Sequence, residues 1–189
     1  NYMAITADLG FRCHEFCGDV LDPFFSGDRK YVMKEAARVR KAAEKNKVLI
    51  TDYYTGVATH RFHGLSHSDA VPRKRMREWM LAAMDLALEM GTYAIGGHWD
   101  AFSVEVLENR KRTEEAFKRI CSTFRELAVV AKKKGLKALY SEQMYVPSEV
   151  PWTIPQTREY LAAINRGNKG VPVYVTVDVG HQAGQNYGM

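Results

Sequence analysis

The chain has 189 residues, with 27 Lys plus Arg against 22 Asp plus Glu, 46% hydrophobic and 11% aromatic residues, 14 Gly and 6 Pro. That composition is globular: it is too apolar for a disordered segment, carries no collagen-like or low-complexity bias, and has no run of about 18 apolar residues that could cross a bilayer as a helix. The net charge of +5 permits an anionic partner such as a phosphate ester or nucleic acid without pointing to either, and the length suggests one domain or at most two.

Taken in chain order, one pattern recurs. A helical stretch ends in a small or basic residue, often followed by Gly, and a β-type run begins a few residues later. The instances are ADLG-FRCHEF, AEKN-KVLITDYY, ALEMG-TYAIGGHW, AKKKG-LKALYSEQM and NRGNKG-VPVYVTVDVGH. Gly ends a helix by taking the left-handed conformation, so each instance reads as the helix-to-strand half of a βα repeat. Strands are expected to start near Arg12, Lys47, Thr92, Lys137 and Pro172, at intervals of 35, 45, 45 and 35 residues, which leaves room for one crossover helix per unit. Cys13 and Cys17 fall in the first strand, about 13 Å apart at ~3.3 Å per residue, beyond disulfide reach. Together with Cys121 they are an odd set without CxxC spacing, so free thiols in a reducing cytoplasm are expected.

The intervening helices carry one-sided apolar stripes. Met76, Trp79, Met80, Ala83, Leu86, Ala87 and Met90 share one face, as do Phe117, Ile120, Cys121, Phe124, Leu127, Ala128 and Ala131. The opposite faces hold Arg73, Arg75, Arg77 and Glu78, or Lys118, Arg119, Arg125 and Glu126, and read as solvated surface. Thr153, with Pro155 in the first turn and Gln156 three residues on, starts a further helix over Ile154 to Asn165.

Successive βα units give parallel strands, in an open doubly wound sheet or a (β/α)8 barrel. No GxGxxG or GxxxxGKS follows any strand. Polar side chains instead sit at the ends of several different strands: Glu15, Asp52, His98, Glu142 and Asp178. Groups gathered from many strand ends are the habit of barrel enzymes. Five units are visible, so the expected fold is a (β/α)8 TIM barrel of which residues 1–189 form a single partial domain.

The last strand alternates. Val173, Val175 and Val177 should pack on helices while Tyr174, Thr176 and Asp178 face the barrel interior. Gly180 allows a turn that returns His181 over the strand end. In the preceding strand Ala138, Tyr140 and Glu142 have matching parity. Neighbouring parallel strands lie about 4.8 Å apart, so Glu142 and Asp178 can share one divalent cation. His60, His63 and His67 lie in the run 59–67, which reads as a long loop over the pocket mouth with ordinary loop hydrogen bonding the expected role of each. Trp99, Tyr145 and Trp152 suit an apolar wall, or plain packing.

The stretches ValThrValAspValGlyHis at 175–181, SerGluGlnMetTyrValProSerGluValProTrpThrIle at 141–154 and IleGlyGlyHisTrp at 95–99 resemble the xylose isomerase-like barrel superfamily, and within it sugar and sugar-phosphate isomerases and epimerases, including ketose 3-epimerases and the tetrulose-phosphate 3-epimerase group. The resemblance implies that Glu142 and Asp178 bind the metal, that Glu142 is also the catalytic acid/base, and that His181 contacts substrate. Glu149 would be a further substrate contact, although it stands seven residues after Glu142 where the best-known ketose epimerases have six. His98 is a third candidate substrate contact. The resemblance also makes the five strands two to six of the barrel, so the remaining ligands and the second acid/base would lie on strands seven and eight.

The implied function is metal-dependent epimerisation or isomerisation of a small ketose or ketose phosphate by proton transfer through an enediolate, which a cation bridging two substrate oxygens stabilises. Hard oxygen ligands with one imidazole favour Mn²⁺, with Mg²⁺ or Co²⁺ as alternatives. The expected protein is a cytoplasmic homo-oligomer, dimer or tetramer, acting on a small molecule, with neither membrane nor nucleic-acid partner. The competing reading is an endonuclease IV-like, zinc-dependent abasic-site nuclease with His98, Glu142, Asp178 and His181 all as ligands. Against it, GlnMetTyrValProSer follows the fifth strand where that family has a ThrAlaGlyGln-type turn. A metal-free binding protein on the same fold is the third.

Overall fold

A computed structural model describes residues 1–60 and 62–184; Arg61, inside the 59–67 loop, and residues 185–189 lie outside the described residues. The elements in order are α1 (Tyr2–Asp8), β1 (Cys13–Cys17), α2 (Arg29–Asn46), β2 (Leu49–Tyr54), α3 (Val57–His60), α4 (Ala70–Met90), β3 (Ala94–Gly96), α5 (Val104–Leu107), α6 (Arg110–Lys134), β4 (Ala138–Gln143), α7 (Ile154–Asn165), β5 (Val173–Val177) and α8 (Val179–Gly184). The five strands form one all-parallel sheet in the order β1-β2-β3-β4-β5. Every strand lies beside its chain neighbour. That order is a barrel's, because a doubly wound sheet reverses direction partway.

The helices end as their sequences require. α4 and α6 stop at Gly91 and Gly135, both in the left-handed region with φ 84° and 101°. α2 stops the same way at Lys47, φ 54°, where no Gly is available. Thr153 caps α7, its hydroxyl accepting from Gln156 N. The α4 and α6 stripes pack with Phe16, Ile50, Tyr53, Ile95, Leu139 and Val173 of the strands into one core. Trp99 belongs to that core rather than to a pocket wall, 1% exposed with its ring 4.3 Å from Phe124.

Two local departures bear on the site. β1 and β2 pair His14 with Ile50 but Phe16 with Tyr53, a bulge that adds one residue to β2. Ile50 and Tyr53 thereby both enter the core, and Asp52 and Tyr54 turn to the other face. On β5, an edge strand among the described residues, Val173 is buried as expected but Val177 is 58% exposed. No helix among the described residues is long and apolar enough to cross a membrane.

Candidate active site

β4 and β5 run in register, Glu142 opposite Thr176 and Gln143 opposite Val177, so Asp178 leaves β5 one step beyond the end of β4. Asp178 divides its oxygens. Oδ1 accepts from Gly180 N at 2.7 Å and shapes the entry to α8, while Oδ2 lies 3.5 Å from His181 Nε2. His181 Nδ1 is 3.0 Å from the Gln143 carbonyl, which can only accept, so Nδ1 donates there and Nε2 is the nitrogen turned to Asp178. The Tyr145 ring packs against the imidazole in a tilted arrangement, with centroids 4.8 Å apart. Glu142, its side chain 5% exposed, brings Oε1 to 3.7 Å from His181 Nδ1.

Glu142, Asp178 and His181 thus each offer one donor atom, all within 4.8 Å of one another. The two carboxylates suit a hard divalent cation, and the imidazole, one nitrogen tied to a carbonyl, stands beside them. His98 and Glu149 are not in that group. His98 is fully buried with its ring 5.6 Å from that of His60, and its carbonyl accepts from the hydroxyls of Thr55 and Thr59. Glu149, 1% exposed, sits in the turn after β4, where its N–H donates to Val146 O at 3.0 Å. The Gln143 amide pins that turn, donating to Met144 O and to Trp152 O at 2.9 Å each.

Tyr54 and His60 join the cluster without having been marked as strand-end groups in the sequence. Tyr54 donates to Glu142 Oε2 at 2.5 Å, and the same hydroxyl lies 2.7 Å from His60 Nε2. Burial and the Glu142 carboxylate push the Tyr54 phenol upward. On the adjoining strands the Glu15 carboxyl meets that of Asp52. Loss of water and the Asp52 charge, with smaller effects from Glu142 and Asp178, push Glu15 up to about 7. Burial raises Asp52 despite the Thr51 hydroxyl donating to it at 2.8 Å. The two carboxyls therefore both favour the protonated form more than free carboxyls do. The 59–67 loop begins with the last two residues of α3 and is anchored by Asp100, whose two oxygens accept from Gly64 N at 2.6 Å and Ser66 N at 2.8 Å.

Residues 3–188 match the family model described as a xylose isomerase-like TIM barrel. D-erythrulose 1-phosphate 3-epimerase of Brucella abortus (strain 2308) is 21% identical over 177 residues, covering 94% of this chain and 56% of its own. Among solved structures, a Rhodospirillum rubrum protein provisionally named a xylose isomerase superposes with a TM-score of 0.87 at 24% identity, over 94% of this chain and 59% of its own. D-psicose 3-epimerase from Clostridium cellulolyticum H10 gives 0.73 at 19% identity, over 100% of this chain and 60% of its own. The chain spans somewhat over half the length of these relatives.

Proposed function

The chain belongs to the xylose isomerase-like TIM barrel family, and from that premise we propose that it carries the metal-binding half of a ketose or ketose-phosphate 3-epimerase. The observation behind this reading is the convergence of Glu142, Asp178 and His181 within 4.8 Å at the ends of adjacent strands. The similarity to a D-erythrulose 1-phosphate 3-epimerase favours a short, phosphorylated ketose.

Glu142 and Asp178 would hold the divalent ion, Mn²⁺ in preference to Mg²⁺ or Co²⁺. When bound there, such an ion supplies Lewis-acid stabilisation of the negative charge that builds on the substrate carbonyl oxygen as the adjacent C–H bond breaks. Glu142 accepts that proton. His181 hydrogen-bonds the neighbouring substrate hydroxyl through Nε2 and orients it. Protonation of the same carbon from the opposite face, by the second acid expected on strand eight, gives epimerisation, and return of the proton from Glu142 to the neighbouring carbon gives isomerisation. His98 and Glu149 border the substrate from the β3 and β4 exits.

The test is solvent exchange. The full-length protein, incubated in D₂O with tetruloses, pentuloses and their phosphates, should place deuterium on the carbon next to the carbonyl. Absence of exchange with every ketose, together with zinc-dependent nicking of an abasic-site duplex, would replace this reading with the nuclease one.

A further inference from the structure

We propose that Tyr54, oriented by His60, positions the Glu142 carboxylate and assigns its two oxygens to different tasks; the inference rests on the reading of Glu142 as ligand and proton acceptor. A carboxylate only accepts, so the single phenolic hydrogen of Tyr54 occupies the 2.5 Å contact to Oε2. The 2.7 Å contact between the same oxygen and His60 Nε2 then has one arrangement: His60 donates Nε2–H and Tyr54 accepts. His60 Nε2 itself lies 3.7 Å from Oε2, too far for a direct bond, so its influence on Glu142 passes through Tyr54.

The His60 ring is held edge-on between those of Tyr54 and His98, with centroids 5.8 Å and 5.6 Å away. Its backbone closes α3, whose Thr59 hydroxyl bonds the His98 carbonyl. The chain His60 to Tyr54 to Glu142 therefore ties the loop after β2 to the end of β4. Such a chain strengthens each bond in it, because a phenol that accepts a hydrogen bond donates a better one.

The terminal torsion of a glutamate is broad and roughly two-fold, so nothing within Glu142 chooses which oxygen faces His181 and Asp178. Tyr54 makes the choice: with Oε2 engaged, Oε1 is the oxygen left free on the side of His181, 3.7 Å from its Nδ1. Partners that orient metal ligands in this way are typically worth 10–100-fold in affinity or activity when removed.

The experiment titrates the full-length protein with Mn²⁺ alone and follows the free ion by electron paramagnetic resonance. Tyr54→Phe should weaken Mn²⁺ binding about 10–100-fold and lower kcat by a similar factor with KM little changed, while the far-ultraviolet circular dichroism stays that of the parent. His60→Leu should reproduce part of the loss, and His60→Gln, which keeps an N–H donor, should restore it. Glu142→Ala separates the two layers of argument. If that variant binds Mn²⁺ like the parent, the ligand reading fails and the positioning role falls with it. If it loses Mn²⁺ while Tyr54→Phe stays within about two-fold of the parent, the positioning role alone is overturned. Should Tyr54→Phe fail to fold, the His60 pair decides: equal Mn²⁺ affinity in the Leu and Gln variants refutes the inference.

Discussion

Asp100 offers a prediction in which sign and size both follow from the structure. The residue is 3% exposed, and its carboxylate is the sole anchor identified for the Gly64 and Ser66 amides among the described residues. Burial outweighs those two donors and pushes its pKa from the ordinary 3.8 up to about 6. The folded protein therefore keeps a proton that the unfolded chain has released between those values. This group's contribution to stability is fully present below pH 3.8 and is lost as pH rises through about 6. At 1.36 kcal/mol per pH unit the separation of about 2.2 corresponds to about 3 kcal/mol in all, of which about 2 kcal/mol disappears between about pH 4.5 and pH 7.5.

Asp100→Asn removes the titration and turns an NH₂ group toward one of the two amide donors. The stability difference between parent and variant should accordingly shrink by about 2 kcal/mol across that range, measured by urea unfolding followed by circular dichroism. Every other group contributes equally to both proteins and cancels. A difference that stays flat within about 0.5 kcal/mol would refute the assignment of the shift. A difference that grows with pH would show that the Gly64 and Ser66 amides hold the anion more strongly than burial penalises it.

Three further outcomes are expected. Glu142→Gln should abolish deuterium exchange while some Mn²⁺ still binds, because an amide oxygen ligates weakly but accepts no carbon-bound proton at neutral pH; exchange near the parental rate would remove Glu142 from the chemistry. His181→Ala should lower kcat by about 10²–10⁴ through lost orientation, measured in the same assay; a change confined to KM would assign it to uniform binding instead. Gly170→Ala should destabilise by about 1–3 kcal/mol, since a Cβ there overlaps the Ala128 backbone of α6, against which Val171 N also bonds at 3.1 Å. A thermal midpoint equal to the parent's would mean that the 167–172 segment shifts away from α6 without cost.

Much of the fold could be read from the chain because its signals are local and repeated. Gly91 and Gly135 end helices as their spacing implied, and the strands begin within two residues of the expected positions. The Ile154–Asn165 helix has its expected bounds, since a Thr cap, an early Pro and Gln156 all act within one turn. Trp99 was ambiguous for a physical reason: a tryptophan just past a strand end suits a pocket wall or a core equally, and only the position of Phe124 on a helix 25 residues later decides between them.

The candidate site was legible where β4 and β5 obey strict alternation and obscure where β2 does not. Glu142 and Asp178 could be paired on paper because their strands keep register to the last residue. Strict alternation on β2 would place residues 50, 52 and 54 on one face, and Ile50 is core, which would send Tyr54 away from Glu142. The bulge between Ile50 and Tyr53 resets the parity, and a bulge formed by ordinary residues has no local sequence mark. Asp52, singled out as a strand-end acid, carried the missing clue. A carboxylate beside Glu15 cannot sit in the apolar core, so Asp52 faces the acidic side, and two residues further along the same strand Tyr54 must face it too. His60 then follows from Tyr54, because a half-buried phenol between a carboxylate and a short helix gains from a second partner, and the end of α3 presents one.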